Sequence, residues 1–368
     1  MHPITTRSFA RAGLLGNPSD GYFGKTLSFA FAEFGVELTM EESEKIRFIQ
    51  GEVDNADFSS LESLVKDLRL FGYYGGIRLL KAVTKRFFEY CVAHDIPLAK
   101  RNFTVGYKIN IPRLVGLSGS SAICSAMLKA LCQFYEVEIP MEIAPTICLE
   151  AEQEELRINA GYQDRVIQIY NGLVFMDFER SYLEAHHHGR YEQLVDKVKV
   201  KGEGEQRKLD LKLYVSYDQS RAEESGEAHK EVKRMFEAKN ADVLAAMSEF
   251  ADIAQQGRDL IVAATNHQSQ TSNHKLSSLI DANFDLRDRI FHVAPENRRM
   301  VMTARSVGAS AKFAGSGGAI VGLYEDDAQF AALTSALAAI GCKTLKPTIA
   351  TKTLENSANC HFANPRAS

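Results

Sequence analysis

A chain of 368 residues, 45% hydrophobic and 24% charged, can bury large cores, and its length favours two domains or one large one. A net charge of -4 and a pI near 6.2 leave no general basic surface, which argues against nucleic acid or an anionic membrane as the main partner. Any anion site must therefore be local. The six cysteines, at positions 91, 124, 132, 148, 342 and 360, form no CxxC pair and lie in apolar helical patterns, as reduced thiols in the cytoplasm would. No apolar run approaches the length of a membrane span, and the start MHPITTRSFARAG lacks an apolar core, so neither export nor anchoring is expected.

In chain order, Ile4 to Leu15 and Thr26 to Leu38 are rich in β-branched and aromatic residues and flank the turn formers GNPSDGYFG, which predicts strand, loop, strand. Helical spacing follows at Leu61 to Leu70 and at Ile77 to Cys91, separated by GYYGG, and FTVGYKINI alternates as a strand. A helix is expected from about Pro145 to Leu156, then the turn NAGYQD. Arg165 to Phe178 reads either as helix then strand or as one extended stretch. Glu179 to Gln206 is polar, with three adjacent histidines at 186 to 188 that read as a solvated loop, and the segment is taken as a domain connection. Beyond it come the strand LDLKLYVSYD, helices at about Gly226 to Ala238, Ala241 to Ala264, Lys275 to Phe291 and Arg298 to Val307, and a strand, glycine loop and strand in ASAKFAGSGGAIVGLYE. A helix at Asp327 to Ile340 and a last strand near Thr344 to Ile349 complete an α+β second half.

The stretch Ile111 to Ile123, IPRLVGLSGSSAI, sets a glycine- and serine-rich turn against a helix whose apolar positions begin at Ile123. Gly116 and Gly119 let the backbone approach a ligand, and a helix N-terminus favours anions, so the segment reads as a phosphate cradle. It matches neither GxxxxGK[ST] nor GxGxxG, which leaves a third kind of phosphate loop. Asp164, beside Arg165 in AGYQDRV, is a carboxylate with a cationic neighbour. Glu150, Glu152, Glu154 and Glu155 lie on one acidic helix, which reads as a solvated face unless one glutamate turns inward, where with a cradle serine it would suit Mg²⁺. Arg11 precedes Asp20 across a loop of short polar residues. The GSGG at Gly315 to Gly318 is either a close backbone approach or a hairpin turn.

Taken in order, FARAGLLGNPSDGYFG, PxxxGLSGSSA and KFAGSGGA resemble the three motifs of the GHMP kinases, and the likeness spans nearly the whole chain. Within that superfamily LGNPSD, GYYGGIRLL, NIPRLVGLSGSSAI, GYQDRV and AKFAGSGGA are similar to the glucuronokinases. The resemblance implies a two-domain α/β and α+β GHMP kinase fold. A ribosomal S5-like N-terminal domain would run over 1–185, a connection over 186–206, a ferredoxin-like C-terminal domain over 207–355 and a tail over 356–368, with the active site between the domains.

It also implies roles. Asp164 would accept, or at least orient, the proton of the attacking sugar hydroxyl, and Arg11 would stabilise charge on the γ-phosphoryl. Pro112, Gly116, Leu117, Ser118, Gly119, Ser120, Ser121 and Ala122 would bind the ATP phosphates. Ser121 and Glu152 match the Mg²⁺ ligands, with Ser120 the alternative hydroxyl because the loop is one residue longer than the GLGSSA form. Asp20 matches the residue that fixes sugar hydroxyls, beside Asn17, Gly315, Ser316 and Gly317. Asn17 and Pro18 stand where galactokinases have Glu and His, which argues against galactose.

A uronate carboxylate would need a cation, for which Arg78 with Tyr73 and Tyr74 ranks first, ahead of Arg113, Lys25 and Arg165. The implied reaction phosphorylates the anomeric hydroxyl of D-glucuronate with ATP and Mg²⁺, for UDP-glucuronate salvage, in a cytoplasmic monomer or homodimer with small-molecule partners. The alternatives are a kinase of another sugar or sugar acid, such as galacturonate or a heptose derivative, a non-catalytic sugar and nucleotide sensor, and a structural or interaction protein.

Overall fold

The computed structural model describes residues 2–49, 75–198, 210–218, 226–264, 269–291, 293–351 and 362–363. The expected helix at Leu61 to Leu70, Tyr73, Tyr74 and Cys360 lie outside these residues. Strand β1 (Ile4–Leu15) is buried almost throughout its second half and pairs antiparallel with the long β2 (Lys25–Ser43). Their register slips between Phe9 and Ala10, one residue before Arg11, and again after Gly13. Such irregularities bend a strand and re-aim its side chains.

Around β2 the first sheet runs β3 (Arg47–Phe48), β4 (Asn102–Ile109), β2, β6 (Leu173–Asp177) and β7 (Arg190–Gln193), with β1 paired to β2 off this path. One face is covered by α1 (Gly76–Ala93), α2 (Gly119–Tyr135), α3 (Ala144–Glu150) and α4 (Gln163–Tyr170). Nearly every residue of α2 is buried, including a polar stripe of Ser121, Ser125 and Lys129 four residues apart, as suits a central core helix. The segment Arg165 to Phe178 is helix then strand. Part of the polar stretch expected as a connection forms α5 (Arg180–His186) and β7, which extends the first sheet.

The second sheet has the order β11 (Lys343–Leu345), β8 (Leu213–Tyr217), β10 (Ala319–Leu323) and β9 (Lys312–Phe313), all antiparallel. Helices α9 (Pro295–Ser306) and α10 (Asp327–Ala338) close a second core with it, around Tyr214, Phe284 and Phe313. The helices α6 (Gly226–Glu237), α7 (Ala241–Ala264) and α8 (Ser269–Ile290) pack mainly into the first core, with Phe284 of α8 reaching the second. Helix α7 packs on β2, closely enough that a Cβ on Gly257 would collide with Leu15.

After β11 the chain returns to the first sheet, where Ala350 exchanges backbone bonds with Ala30 and Gly172. A short strand β12 (Phe362–Ala363) pairs with β5 (Ile139–Pro140). Cys91, Cys124, Cys132, Cys148 and Cys342 are buried free thiols. No helix among the described residues is long and apolar enough to cross a membrane.

Candidate active site

A cavity of about 510 Å³ opens where β1, the start of α2, the start of α4 and the GSGG loop meet. Its phosphate wall is shaped by backbone conformation. Gly116 has φ +71, and a Cβ there would press on Gly317 O and Ser316 N, while a Cβ on Gly315 would strike Gly116 O and lie 2.8 Å from Arg11 Nη1. The two loops touch only because both positions are glycine. The GSGG segment is therefore a close backbone approach as well as the link between β9 and β10.

Ser118 precedes α2 in the left-handed region at φ 66, a costly conformation for a residue with a Cβ. Several contacts hold it there. Its hydroxyl donates to Asp164 Oδ2 at 2.7 Å, and its carbonyl accepts from Gln168 Nε2 at 2.9 Å. Because that hydroxyl turns to Asp164, no side chain caps α2, and its first amides stay at the cavity wall formed by Gly119 and Ser120.

Arg11 is the junction of the site. Its Nε donates to Asp164 Oδ1 at 2.6 Å, and its Nη1 donates to Gly116 O at 2.7 Å and Ala314 O at 2.8 Å. One buried guanidinium thus ties the phosphate loop, the GSGG loop and Asp164 together. Burial alone would push Asp164 up. The charges of Arg11 and Arg165 and the bonds from Arg11 and Ser118 outweigh it and hold the carboxyl at about 2.

Asp20 goes the other way. It sits in the 3-10 turn Ser19–Tyr22 after the cis Asn17–Pro18 bond. Burial, then the charge of Asp164, push it up to about 6, against the amide of Gln163 that donates to Oδ2 at 3.1 Å and the charges of Arg11 and Arg165. Two carboxylates in one cavity are thereby separated by environment.

The expected metal pair is placed differently. Helix α3 runs into a π turn (Ala151–Glu155) that turns Glu152 inward, fully buried, while Glu150, Glu154 and Glu155 form ion pairs with Arg86 on the outside. Glu152 Oε2 accepts from Arg165 Nε at 2.6 Å and from its Nη2, and Oε1 has no hydrogen-bond partner. Ser121 Oγ turns back to Ser118 O at 3.3 Å. Neither Ser121 nor Glu152 lines the cavity, whereas Ser120 does. With a guanidinium already on the carboxylate, Ser121 and Glu152 as arranged here do not fit Mg²⁺. Among the described residues no group of three or more His, Cys, Asp or Glu is poised to hold a metal.

Of the other expected residues, Asn17, Asp20, Pro112, Leu117, Gly315 and Ser316 line the cavity, and Gly317 backs Gly116. Ala122 is buried in α2 behind it. Asn17 does so with its amide oxygen already taken by Lys312 Nζ at 2.5 Å. Arg78 is exposed and off the cavity wall, and Lys25 is bonded to Gln255 at 2.9 Å away from it.

The sequence reading missed Ser118 as a partner of Asp164. It also missed Tyr22, Lys233 and Arg287 on the wall, and Lys312 and Asn283 behind it. A lysine inside the otherwise apolar run AKFAG was the one visible signal among these.

Residues 78–172, which hold the phosphate loop and Asp164, match the model of the GHMP kinases N terminal domain. Glucuronokinase 1 of Arabidopsis thaliana is 40% identical over 324 residues, covering 86% of this chain and 84% of that protein. The chain belongs to the GHMP kinase family. Probable glucuronokinase 2 of the same plant is 41% identical over 324 residues, 86% of this GHMP kinase and 82% of the relative. Among solved structures, galactokinase of Lactococcus lactis superposes with a TM-score of 0.70 at 15% identity, covering 95% of this chain and 94% of that one. Mevalonate kinase of Methanococcus jannaschii gives 0.66 at 17%, covering 95% and 98%. The fold of this kinase is accordingly the two-domain α/β and α+β fold of the GHMP kinases.

Proposed function

We propose that this kinase transfers the γ-phosphoryl of ATP to the anomeric hydroxyl of D-glucuronate, giving D-glucuronate 1-phosphate and ADP. The convergence of phosphate loop, GSGG loop and Asp164 on Arg11 carries the phosphoryl-transfer reading. The acceptor rests on the likeness to the two plant glucuronokinases. ATP would lie with its phosphates against Gly116 to Ser120, and Mg²⁺, if it accompanies the nucleotide, would neutralise phosphate charge without Ser121 and Glu152 as ligands. The two sheets belong to two domains, the first of which extends through β7. The chain acts in the cytoplasm, a reading supported by its buried free thiols, as a monomer or homodimer whose state a sedimentation measurement would give.

Phosphoryl transfer passes through a loose transition state, so positioning and charge stabilisation matter more than proton removal. Arg11, fixed by three acceptors, faces the charge that develops as the bond to ADP breaks. Asp164, with both oxygens engaged and its pKa near 2, orients the attacking hydroxyl and is a poor store for its proton. As the new ester bond forms and the bond to ADP breaks, the proton passes to an oxygen of the transferred phosphoryl group or to water rather than staying on Asp164. Asp20, bonded to the Gln163 amide beside Asp164, holds sugar hydroxyls.

A substrate panel with ATP and Mg²⁺, comprising glucuronate, galacturonate, glucose, galactose and a heptose 7-phosphate, tests the assignment. The last is included because this chain is 23% identical over 184 residues to D-glycero-alpha-D-manno-heptose 7-phosphate kinase of Campylobacter jejuni. Glucuronate should have the highest kcat/KM, and turnover no faster than glucose or galactose would end the glucuronate reading.

A further inference from the structure

Arg165 is a second buried guanidinium of the site, only 3% exposed although it lies on the cavity wall. Its Nε at 2.6 Å and its Nη2 both donate to Glu152 Oε2, and its Nη1 donates to Gly161 O at 2.7 Å. The same Nη1 stands 3.8 Å from Asp164 Oδ2, close enough for attraction and too far for a hydrogen bond. We propose that Glu152 is a positioning residue that acts through Arg165 to keep Asp164 Oδ2 open to the acceptor hydroxyl, and is not a ligand of the nucleotide's metal ion. The inference rests on the orienting role of Asp164 above.

Asp164 Oδ1 faces Arg11, and Oδ2 already accepts from Ser118 at 2.7 Å. The acceptor hydroxyl is left a lone pair on Oδ2. A guanidinium that closed the 3.8 Å gap would take it, and opposite charge draws Arg165 that way. A second carboxylate at a fixed place holds it back. The π turn supplies one by turning Glu152 inward, fully buried, and two charge-assisted bonds to one oxygen restrain the guanidinium.

The surroundings of Glu152 do not suit Mg²⁺, which takes a shell of oxygens. Oε2 carries the guanidinium, and Oε1 is buried without a hydrogen-bond partner, off the cavity wall. The thiols of Cys124 and Cys148 are pushed up, first by burial and then by the Glu152 charge, so they stay protonated and offer no ligand either.

The test uses the full-length enzyme and whichever acceptor of the panel above it turns over fastest. A parent that prefers another sugar therefore ends the glucuronate reading and leaves this test intact, while Asp164→Asn reads the orienting role separately. Glu152→Gln keeps the shape and removes the charge that restrains Arg165. Its kcat should fall about tenfold or more, with the KM for ATP and the Mg²⁺ concentration for half-maximal rate within about threefold of the parent. In an Arg165→Gln background, with no guanidinium left to restrain, adding Glu152→Gln should change kcat less than about twofold. The affinity of Mn²⁺ for the enzyme with ADP, read by electron spin resonance, should be the same in the parent and in Glu152→Gln.

A Mg²⁺ requirement raised about tenfold by Glu152→Gln, or Mn²⁺ bound as much more weakly, overturns the proposal and makes Glu152 a metal ligand. An unchanged kcat, or an equal fall in both backgrounds, overturns it as well, because Glu152 would then not act through Arg165. Removing one member of a buried pair can prevent folding. Should Glu152→Gln alone not fold, the double variant, which leaves no charge of the pair behind, is compared with Arg165→Gln: equal kcat and equal Mg²⁺ requirement are expected, and a raised Mg²⁺ requirement overturns the proposal.

Discussion

The two walls of the cavity are built on opposite plans. The phosphate wall comes mostly from one contiguous run, Gly116 to Ser120, shaped by glycines and a left-handed serine, and its ion pair of Arg11 with Asp164 is complete. The sugar wall is assembled from segments far apart in the chain: the loop of Asn17, Asp20 and Tyr22 from the first half, and Arg287, backed by Lys312, from the second. Lys312 behind it bonds to two carbonyl oxygens and the Asn17 amide oxygen, and its carboxylate, Asp20, is destabilised by burial. A polyphosphate can be held by backbone amides, whereas a sugar acid must be met by placed side chains. The first wall should therefore fail in turnover when damaged, and the second in sugar affinity.

The largest effect is expected at the junction of the plan. Asp164→Asn keeps the shape but removes the charge that faces Arg11, and turnover should fall on the order of a thousandfold or more, with ATP binding retained. Single-turnover kinetics with nucleotide titration would measure both. Near-normal turnover would show that Asp164 neither orients the hydroxyl nor sets Arg11. Next comes Gly315→Ala. Its Cβ would strike Gly116 O and approach Arg11 Nη1. Backbone atoms cannot yield as a flexible side chain can, so the loops must part, and kcat/KM for ATP should drop about 100-fold. A drop confined to the sugar KM would assign this loop to the other wall.

How much of this was legible follows the same division. The strand Ile4 to Leu15, the phosphate loop before α2, and Asp164 and Arg11 as candidates could all be read, because periodicity and a glycine-rich turn are local signals. The π turn was not, since a five-residue widening leaves no period of its own, and Glu152 was consequently expected at a metal and found on Arg165. Arg287 was invisible for another reason. In DLRDRI it looks like any helical surface arginine, and only the fold of the second half turns it into the cavity. Ser118 was placed in the phosphate cradle, but its hydroxyl bond to Asp164 depends on a backbone conformation that serine seldom adopts.

A smaller effect separates the sugar wall from its support. Lys312 Nζ spends all three donors on Gly13 O at 2.6 Å, Asn17 Oδ1 at 2.5 Å and Phe313 O at 2.8 Å, while Asn283 binds Gly16 N at 2.6 Å and Asn17 O at 3.2 Å. Lys312 and Asn283 thus fix the start of the sugar loop through bonds that do not reach the phosphate loop. Lys312→Met should raise the sugar KM about tenfold with the KM for ATP nearly unchanged. Equal losses for both substrates would mean that the walls move as one body.

The smallest effect is in stability. A group whose folded pKa is raised stabilises the fold fully below its unfolded pKa and loses that contribution as pH climbs through the folded value. For Asp20 the loss runs from near 3.8 up through about 6, so at neutral pH the native state carries a buried charge it would rather protonate. Asp164 has the opposite sign, its contribution being present above 3.8 and lost only as pH falls through about 2, so it is constant over this window. Asp20→Asn removes the first term alone. Relative to the parent, the variant should gain on the order of 2 kcal/mol between about pH 4 and pH 7, seen as a melting difference that grows by a few degrees, roughly, even as sugar affinity falls. A difference that stays flat across that range would mean that Asp20 is charged at no cost. The sugar wall would then be as well balanced without its substrate as the phosphate wall, and the case that Asp20 waits for a complementary group would lose its electrostatic basis.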